Sequence, residues 1–310
     1  MTKKQEEADS KQVTLKYLLL KAAYAALSAS KVVLEVYHSK DFQVELKEDE
    51  SPVTIADRKS HNVLVEILGN CNLRYPVLSE EGEKASAQSR ASWQTLWVVD
   101  PLDGTKEFIE RSGEFGINIA LVERRIPVLG VIQVPLSDVL YIGAKGIGAY
   151  KIQGASSIKI ELDEEGLAAD KIEKAWEYLR SKAKPLPAVN RRSPLRLKVV
   201  VSRSHMNVAT EKFLERLRRK VGNFELTSAG SATKLCFLAE GEAELYPRFA
   251  PTKEWDTAAG DAILRETGGA VFRAEDLKPL VYNKADLRNP YFIACSSYFK
   301  ENLKMLFASL

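Results

Sequence analysis

The sequence predicts a mixed α+β and α/β chain built in two halves. An apolar helical period near the start is followed by short strands with short connections. A proline- and charge-flanked stretch then breaks that pattern, and beyond it strands and helices alternate. The boundaries read as 1–152 for an N-terminal α+β unit, 153–195 for a connection carrying one helix, and 196–310 for a C-terminal α/β unit.

Leu15, Leu18, Leu19, Ala22, Ala26, Ala29, Val33 and Val36 recur at three- and four-residue steps, which predicts one helix over 11–38. A polar loop runs from Lys47 to Pro52. A second helix follows Asp57, carries Val63, Leu64, Ile67 and Leu68, and ends at Gly69-Asn70. Tyr75 to Leu78 reads as a strand that stops at Ser79-Glu80-Glu81-Gly82, and a polar linker leads to Trp93. Trp97-Val98-Val99 is a buried strand delivering Asp100-Pro101-Leu102-Asp103-Gly104-Thr105, with helix-compatible Lys106 to Ile109 beyond. Ile117–Val122, Val128–Val134, Val139–Ile142 and Gly148–Tyr150 extend a mainly antiparallel sheet. In the connection, Ile172, Ala175, Trp176 and Leu179 mark an amphipathic helix, with Pro185, Pro187 and Pro194 after it. Leu197 to Val201 opens the alternating half.

Composition narrows the function classes. With 310 residues and 45% apolar content the chain can bury a full core. A net charge of +3 against 28% charged residues gives no bulk field for nucleic acid. Cys71, Cys236 and Cys295 form neither a disulfide framework nor a thiolate metal set, so a reducing cytoplasm is expected. The N-terminus lacks a signal peptide's apolar core, and Leu15 to Leu20 is too short to span a bilayer, so no integral membrane segment is expected.

The chemistry lies in the carboxylates. Asp100 and Asp103 share one turn at the end of a buried strand, where oxygen ligands could hold a hard cation. The N–H groups of Gly104 and Thr105 follow at a helix start, where a phosphate is favoured. Taken singly, each acidic residue also has an ordinary explanation. Asp57 and Asp256 are placed as helix N-caps, Asp-Pro-Leu-Asp-Gly is a good turn, and Glu80-Glu81 suits a solvated loop. Packed together they would repel unless cations sat among them.

The ordered blocks Asp57, Glu80-Glu81, Asp100-Pro101-Leu102-Asp103-Gly104-Thr105 and Trp255-Asp256-Thr257-Ala258-Ala259-Gly260 resemble the inositol monophosphatase superfamily of lithium-sensitive, Mg²⁺-dependent phosphatases. The resemblance covers most of the chain outside 153–195 and implies the layered αβαβα sugar-phosphatase fold. It implies that Glu80, Asp100, the Leu102 carbonyl, Asp103 and Asp256 ligate two or three Mg²⁺ ions, and that Li⁺ inhibits by taking a metal position. Asp57 with Thr105 would orient and deprotonate the attacking water.

Lys106-Glu107-Phe108 after Thr105, and Leu245-Tyr246-Pro247-Arg248-Phe249 before Trp255, are similar to the CysQ-type 3′(2′),5′-bisphosphate nucleotidases within that superfamily. Ser202-Arg203-Ser204-His205 follows a strand's carboxyl end, a favoured ligand location. Ser228-Ala229-Gly230-Ser231-Ala232-Thr233-Lys234 is a small-residue loop entering a helix. By resemblance, Ser202, His205, Gly230 and Lys234 contact a nucleotide, while Gly104 and Thr105 contact phosphate. The implied reaction is hydrolysis of adenosine 3′,5′-bisphosphate (PAP) to AMP and phosphate, with the sulfated relative PAPS as a second substrate. That would clear a by-product of sulfate assimilation or sulfotransfer. An inositol phosphate phosphatase, or a non-catalytic nucleotide or metal sensor on the same fold, are the other readings.

Overall fold

The structure is a computed structural model that describes residues 3–39, 41–47, 50–70, 73–161, 168–187, 197–203, 206–231 and 233–307. The first half opens with helix α1 (Lys3–Ser39), strands β1 (Glu45–Leu46) and β2 (Pro52–Val53), helix α2 (Ile55–Gly69), strand β3 (Val77–Ser79) and the single turn α3 (Ala87–Arg90). Next come β4 (Thr95–Asp103), α4 (Thr105–Ile109), β5 (Gly116–Glu123), β6 (Ile126–Val134), β7 (Val139–Ala144) and β8 (Gly148–Gln153). Helix α5 (Ala169–Ser181) and β9 (Lys184–Pro185) lead into β10 (Lys198–Ser202), α6 (Val208–Val221), β11 (Glu225–Ala229) and α7 (Thr233–Glu240). The chain closes with β12 (Leu245–Arg248), α8 (Ala258–Glu266), β13 (Ala270–Arg273), β14 (Phe292–Cys295) and α9 (Ser297–Phe307).

Among the described residues, one sheet has the order β3-β4-β5-β6-β7-β8-β9 and is antiparallel except for the parallel β3–β4 pair. The second sheet has the order β11-β10-β12-β14-β13, with β10 parallel to both β11 and β12. Three apolar cores hold five layers together. The first joins α1, α2 and α5 to one face of the large sheet. The second fills the space between both sheets around α7 and α8, and the third lies under α6 and α9. This is the αβαβα layering, produced because each of these two sheets is packed between helices; β1 and β2 form a separate two-stranded pair.

Helix α1 is longer and more apolar than the run at Leu15 to Leu20 suggested. Its Ser10–Ser39 stretch is long and apolar enough to cross a membrane, with a mean hydropathy of 1.4 over its most apolar window. Of that window, 67% is buried inside the protein. Leu19, Leu20, Ala22, Ala26 and Ala29 are fully buried against α2, α5 and the sheet. Being apolar along so much of its length because it is buried, an internal helix passes the same length and composition test as a membrane-crossing one. Cys236 and Cys295 are free and buried, and Cys71 lies outside the described residues.

Helix α5 and β9 both come from the 153–195 stretch. Helix α5 packs on α1, and β9 pairs with β8 as the last strand of the large sheet.

Candidate active site

Strand β4 places the central turn. Its ladder with β5 runs in register as far as Asp100↔Asn118, then resumes at Asp103↔Gly116. Three steps on β4 thus face two on β5, an irregularity that Pro101 accommodates because it has no N–H to donate. The extra residue turns Asp100 and Asp103 towards the same cleft. Leu102 N–H donates to Asp100 Oδ1 at 3.1 Å, and Ser60 Oγ, from α2, donates to the Pro101 carbonyl at 2.7 Å. Gly104 adopts φ +92°, and a Cβ there would lie 2.9 Å from the Glu114 carbonyl, so the turn needs glycine.

Neighbouring elements bring in the other carboxylates. Strand β3 runs parallel to β4, and Glu80 N–H donates to the Val99 carbonyl at 3.2 Å, so Glu80 stands beside Asp100. From the second half, the single turn Glu254–Asp256 packs on β4 and β5, and Lys253 N–H holds Asp256 Oδ2 at 2.8 Å. The cleft, about 290 Å³, is lined by Glu80, Asp100, Leu102, Asp103, Gly104, Thr105, Ser202, Gly230, Lys234 and Asp256. Asp57 lies just behind it and reaches it through Thr105. The structure therefore brings together every residue singled out from the sequence except His205, which lies outside the described residues.

Asp57 and Asp256 are not N-caps. The cap of α2 is Thr54, and Asp57 is the third helical residue of a capping box. Thr54 N–H and Oγ1 both donate to Asp57 Oδ2, at 2.7 and 2.6 Å. The other oxygen, Oδ1, accepts from Thr105 Oγ1 at 3.1 Å, and that hydroxyl also lies 3.2 Å from the Leu102 carbonyl. Asp256 precedes the cap of α8, which is Thr257.

Burial dominates the electrostatics. It pushes the Asp57 carboxyl up to about 6, against the opposing Thr54 bonds. Asp100 is raised well above the usual carboxylate range by burial, and then by Glu80, Asp103 and Asp256. Burial, Asp103 and Glu80 push Asp256 up to about 8. On the opposite wall Lys234 is lowered to about 8 by burial, which outweighs the attraction of Asp103.

Sequence reasoning passed over three residues. Lys47 donates to Glu80 Oε1 at 2.8 Å and also bonds Glu81. Burial would lower its pKa, but the two carboxylates outweigh this and raise it. Ser231 and Arg248 both line the cleft. Ser231 Oγ and Arg248 Nε are buried with no hydrogen-bond partner. Lys47 sat in an aperiodic polar loop. Arg248 lies in the run Leu245-Tyr246-Pro247-Arg248-Phe249, where nothing but the folded chain shows it turned into the cleft.

The donor set consists of carboxylates and one carbonyl, the hard oxygens that suit Mg²⁺. Among the described residues no three acidic, histidine or cysteine side chains already stand close enough to hold an ion. What fits a cation is the chemistry: Asp100 is 1% exposed among three other carboxylates, and the nearby Lys47 ammonium is engaged by Glu80 and Glu81.

The sequence signature of the Inositol monophosphatase family matches residues 16–309. The chain belongs to that family. Within it, the protein is 39% identical over 269 residues to the 3′(2′),5′-bisphosphate nucleotidase CysQ of Escherichia coli K12, covering 86% of this chain and 95% of that one. The CysQ of Haemophilus influenzae is 34% identical, over 84% of this chain and 86% of its own. Among solved structures, CysQ from Bacteroides thetaiotaomicron, described as a bacterial member of the family, superposes with TM-score 0.77 at 46% identity, covering 90% and 97% of the two chains. The inositol monophosphatase of Anabaena matches at TM-score 0.62 and 24% identity, over 96% and 97%, which establishes the shared fold alone.

Proposed function

We propose that this protein is a Mg²⁺-dependent 3′(2′),5′-bisphosphate nucleotidase that hydrolyses PAP to AMP and phosphate, with PAPS as a second substrate. The observation that carries this is the meeting of Glu80, Asp100, Leu102, Asp103 and Asp256 in one cleft with the Asp57–Thr105 pair. The CysQ relatives supply the substrate class.

Glu80, Asp100, the Leu102 carbonyl, Asp103 and Asp256 would hold the cations. Bound Mg²⁺ supplies positive charge to the phosphate oxygens and acidifies the attacking water. The chain's own residues manage the proton. With Asp57 Oδ2 occupied by Thr54, only Oδ1 is free to accept, and Thr105 Oγ1 is its donor. A water donating to Thr105 Oγ1 can pass its proton through that hydroxyl to Asp57, whose raised pKa makes it a usable base near neutrality. The N–H groups at Gly104 and Thr105 orient the phosphate. Across the cleft Lys234 donates to the Ala229 and Ser231 carbonyls at 3.3 and 2.5 Å, which leaves one ammonium hydrogen for substrate. Ser202 and Gly230 complete the nucleotide wall of this reading, and the resemblance adds His205 as a nucleotide contact; the reading makes the enzyme a cytoplasmic one that clears a by-product of sulfur metabolism.

The test is a substrate panel at saturating Mg²⁺, with and without Li⁺. PAP should be turned over well ahead of inositol 1-phosphate, and Li⁺ should inhibit. Preference for the inositol ester, or nucleotide binding with no phosphate release, overturns the proposal.

A further inference from the structure

The Asp256 turn is held in place from outside the cleft. Residues 287–289 lie alongside 252–254. Asn289 N–H donates to the Thr252 carbonyl at 2.8 Å, and Glu254 N–H donates to the Leu287 carbonyl at 3.0 Å. From there the Asn289 side chain reaches across the turn. Its Nδ2 lies 2.6 Å from the Lys253 carbonyl, 3.0 Å from Thr257 Oγ1 and 3.2 Å from Thr252 Oγ1. An amide nitrogen has two hydrogens, and the two shorter contacts span the turn from its start to its exit. Between these anchor points sits Asp256, whose Oδ2 is held by the N–H of Lys253.

The amide's orientation is dictated by chemistry. Turned over, it would set Oδ1 against the Lys253 carbonyl, acceptor facing acceptor. As it stands, Asn289 Oδ1 is buried with no partner. A buried acceptor left unsatisfied is costly, so the donor side of this amide is the side the fold uses. Asn289 is 9% exposed and does not line the cleft, so it can act on the site only through the turn.

We propose that Asn289 is a positioning residue: by fixing Lys253 and Thr257 it sets the direction of the Asp256 carboxylate and so the affinity of the site for its cation. This rests on the reading of Asp256 as a Mg²⁺ ligand. Groups that orient a metal ligand from behind typically change affinity by about 10- to 100-fold when removed. Asn289→Ala should weaken Mg²⁺ binding by that factor, while excess Mg²⁺ restores the turnover number.

The experiment is calorimetric titration of Mg²⁺ into chelator-stripped protein, alongside turnover against Mg²⁺ concentration and the thermal midpoint in chelator. Asn289→Ser keeps a short hydroxyl donor and the main-chain bond, and reports if the alanine variant does not fold. Asp256→Asn is run in parallel. If Asp256→Asn binds Mg²⁺ as the parent does, the ligand reading fails and the inference with it. If Asp256→Asn loses binding but the Asn289 variants keep parental affinity, Asn289 does not position the ligand, whatever their thermal midpoints do.

Discussion

Thr105 is where two structural facts meet, because its hydroxyl lies within hydrogen-bond distance of both the Asp57 carboxylate and the Leu102 carbonyl. Removing it leaves the carboxylates in place and breaks the proton path. Thr105→Ala should therefore keep parental Mg²⁺ affinity and lower kcat by roughly 10²–10⁴-fold, the range of acid–base assistance. Single-turnover rates at saturating Mg²⁺ check this, and an undiminished rate removes Thr105 and Asp57 from the proton path. Asp103→Asn and Asp256→Asn should fail differently, losing Mg²⁺ binding first, as calorimetry would read. Lys234→Ala should raise KM for PAP more than for a small sugar phosphate. The acidic residues were legible in the sequence because each follows an apolar segment and opens a polar turn. Lys47 was not, since its meaning comes from Glu80 and Glu81, more than thirty positions away in sequence.

Helix α8 delivers the Asp256 turn to β4 because it packs on the large sheet with almost no space between them. A Cβ at Gly130, on β6, would lie 2.1 Å from the Ala259 carbonyl, and one at Gly260 would lie 2.4 Å from Leu235 Cδ1. The contact at Gly130 cannot be relieved by a rotamer change, because the obstacle is backbone. Gly130→Ala should destabilise the fold by about 1–3 kcal/mol through overpacking, measured by denaturant unfolding. By moving α8 it should also weaken Mg²⁺ binding. Unchanged stability would mean that the helix and sheet are farther apart than the structure has them. The helical and antiparallel elements were readable from their periods, α1 and α2 above all. Strand β9 was not, because two residues carry no alternation. The three-against-two step at Pro101 was not readable either, since it exists only in the pairing of β4 with β5.

At the scale of the whole molecule, one apolar core runs between the two sheets, and the cleft opens where that core meets the carboxylates. The alternation of elements shows a layered second half, whereas the convergence of Asp57, Asp100 and Asp256 could be anticipated only from the family resemblance, because no local pattern carries a contact between such distant positions. In the metal-free protein these three have folded-state pKa values above the unfolded carboxylate value of 3.8. The folded chain thus retains protons that the unfolded chain has released. Their contribution is fully present below about 4 and is lost as pH rises through about 6 for Asp57 and about 8 for Asp256. His61, lowered by burial, works in the opposite sense near 6.5. Asp276 and Asp286, held low in hydrogen bonds to Arg273 and Arg288, lose their contribution only below this window. Chelator-treated protein should therefore become less stable from pH 5 to pH 8. Mg²⁺ favours the ionised carboxylates and binds the folded state, adding about 2.7 kcal/mol at a hundredfold excess over its dissociation constant. Thermal unfolding across that range, with chelator and with Mg²⁺, should show a falling curve in the first case and a flatter, higher one in the second. If both curves run parallel, the crowded carboxylates are not what the cation neutralises.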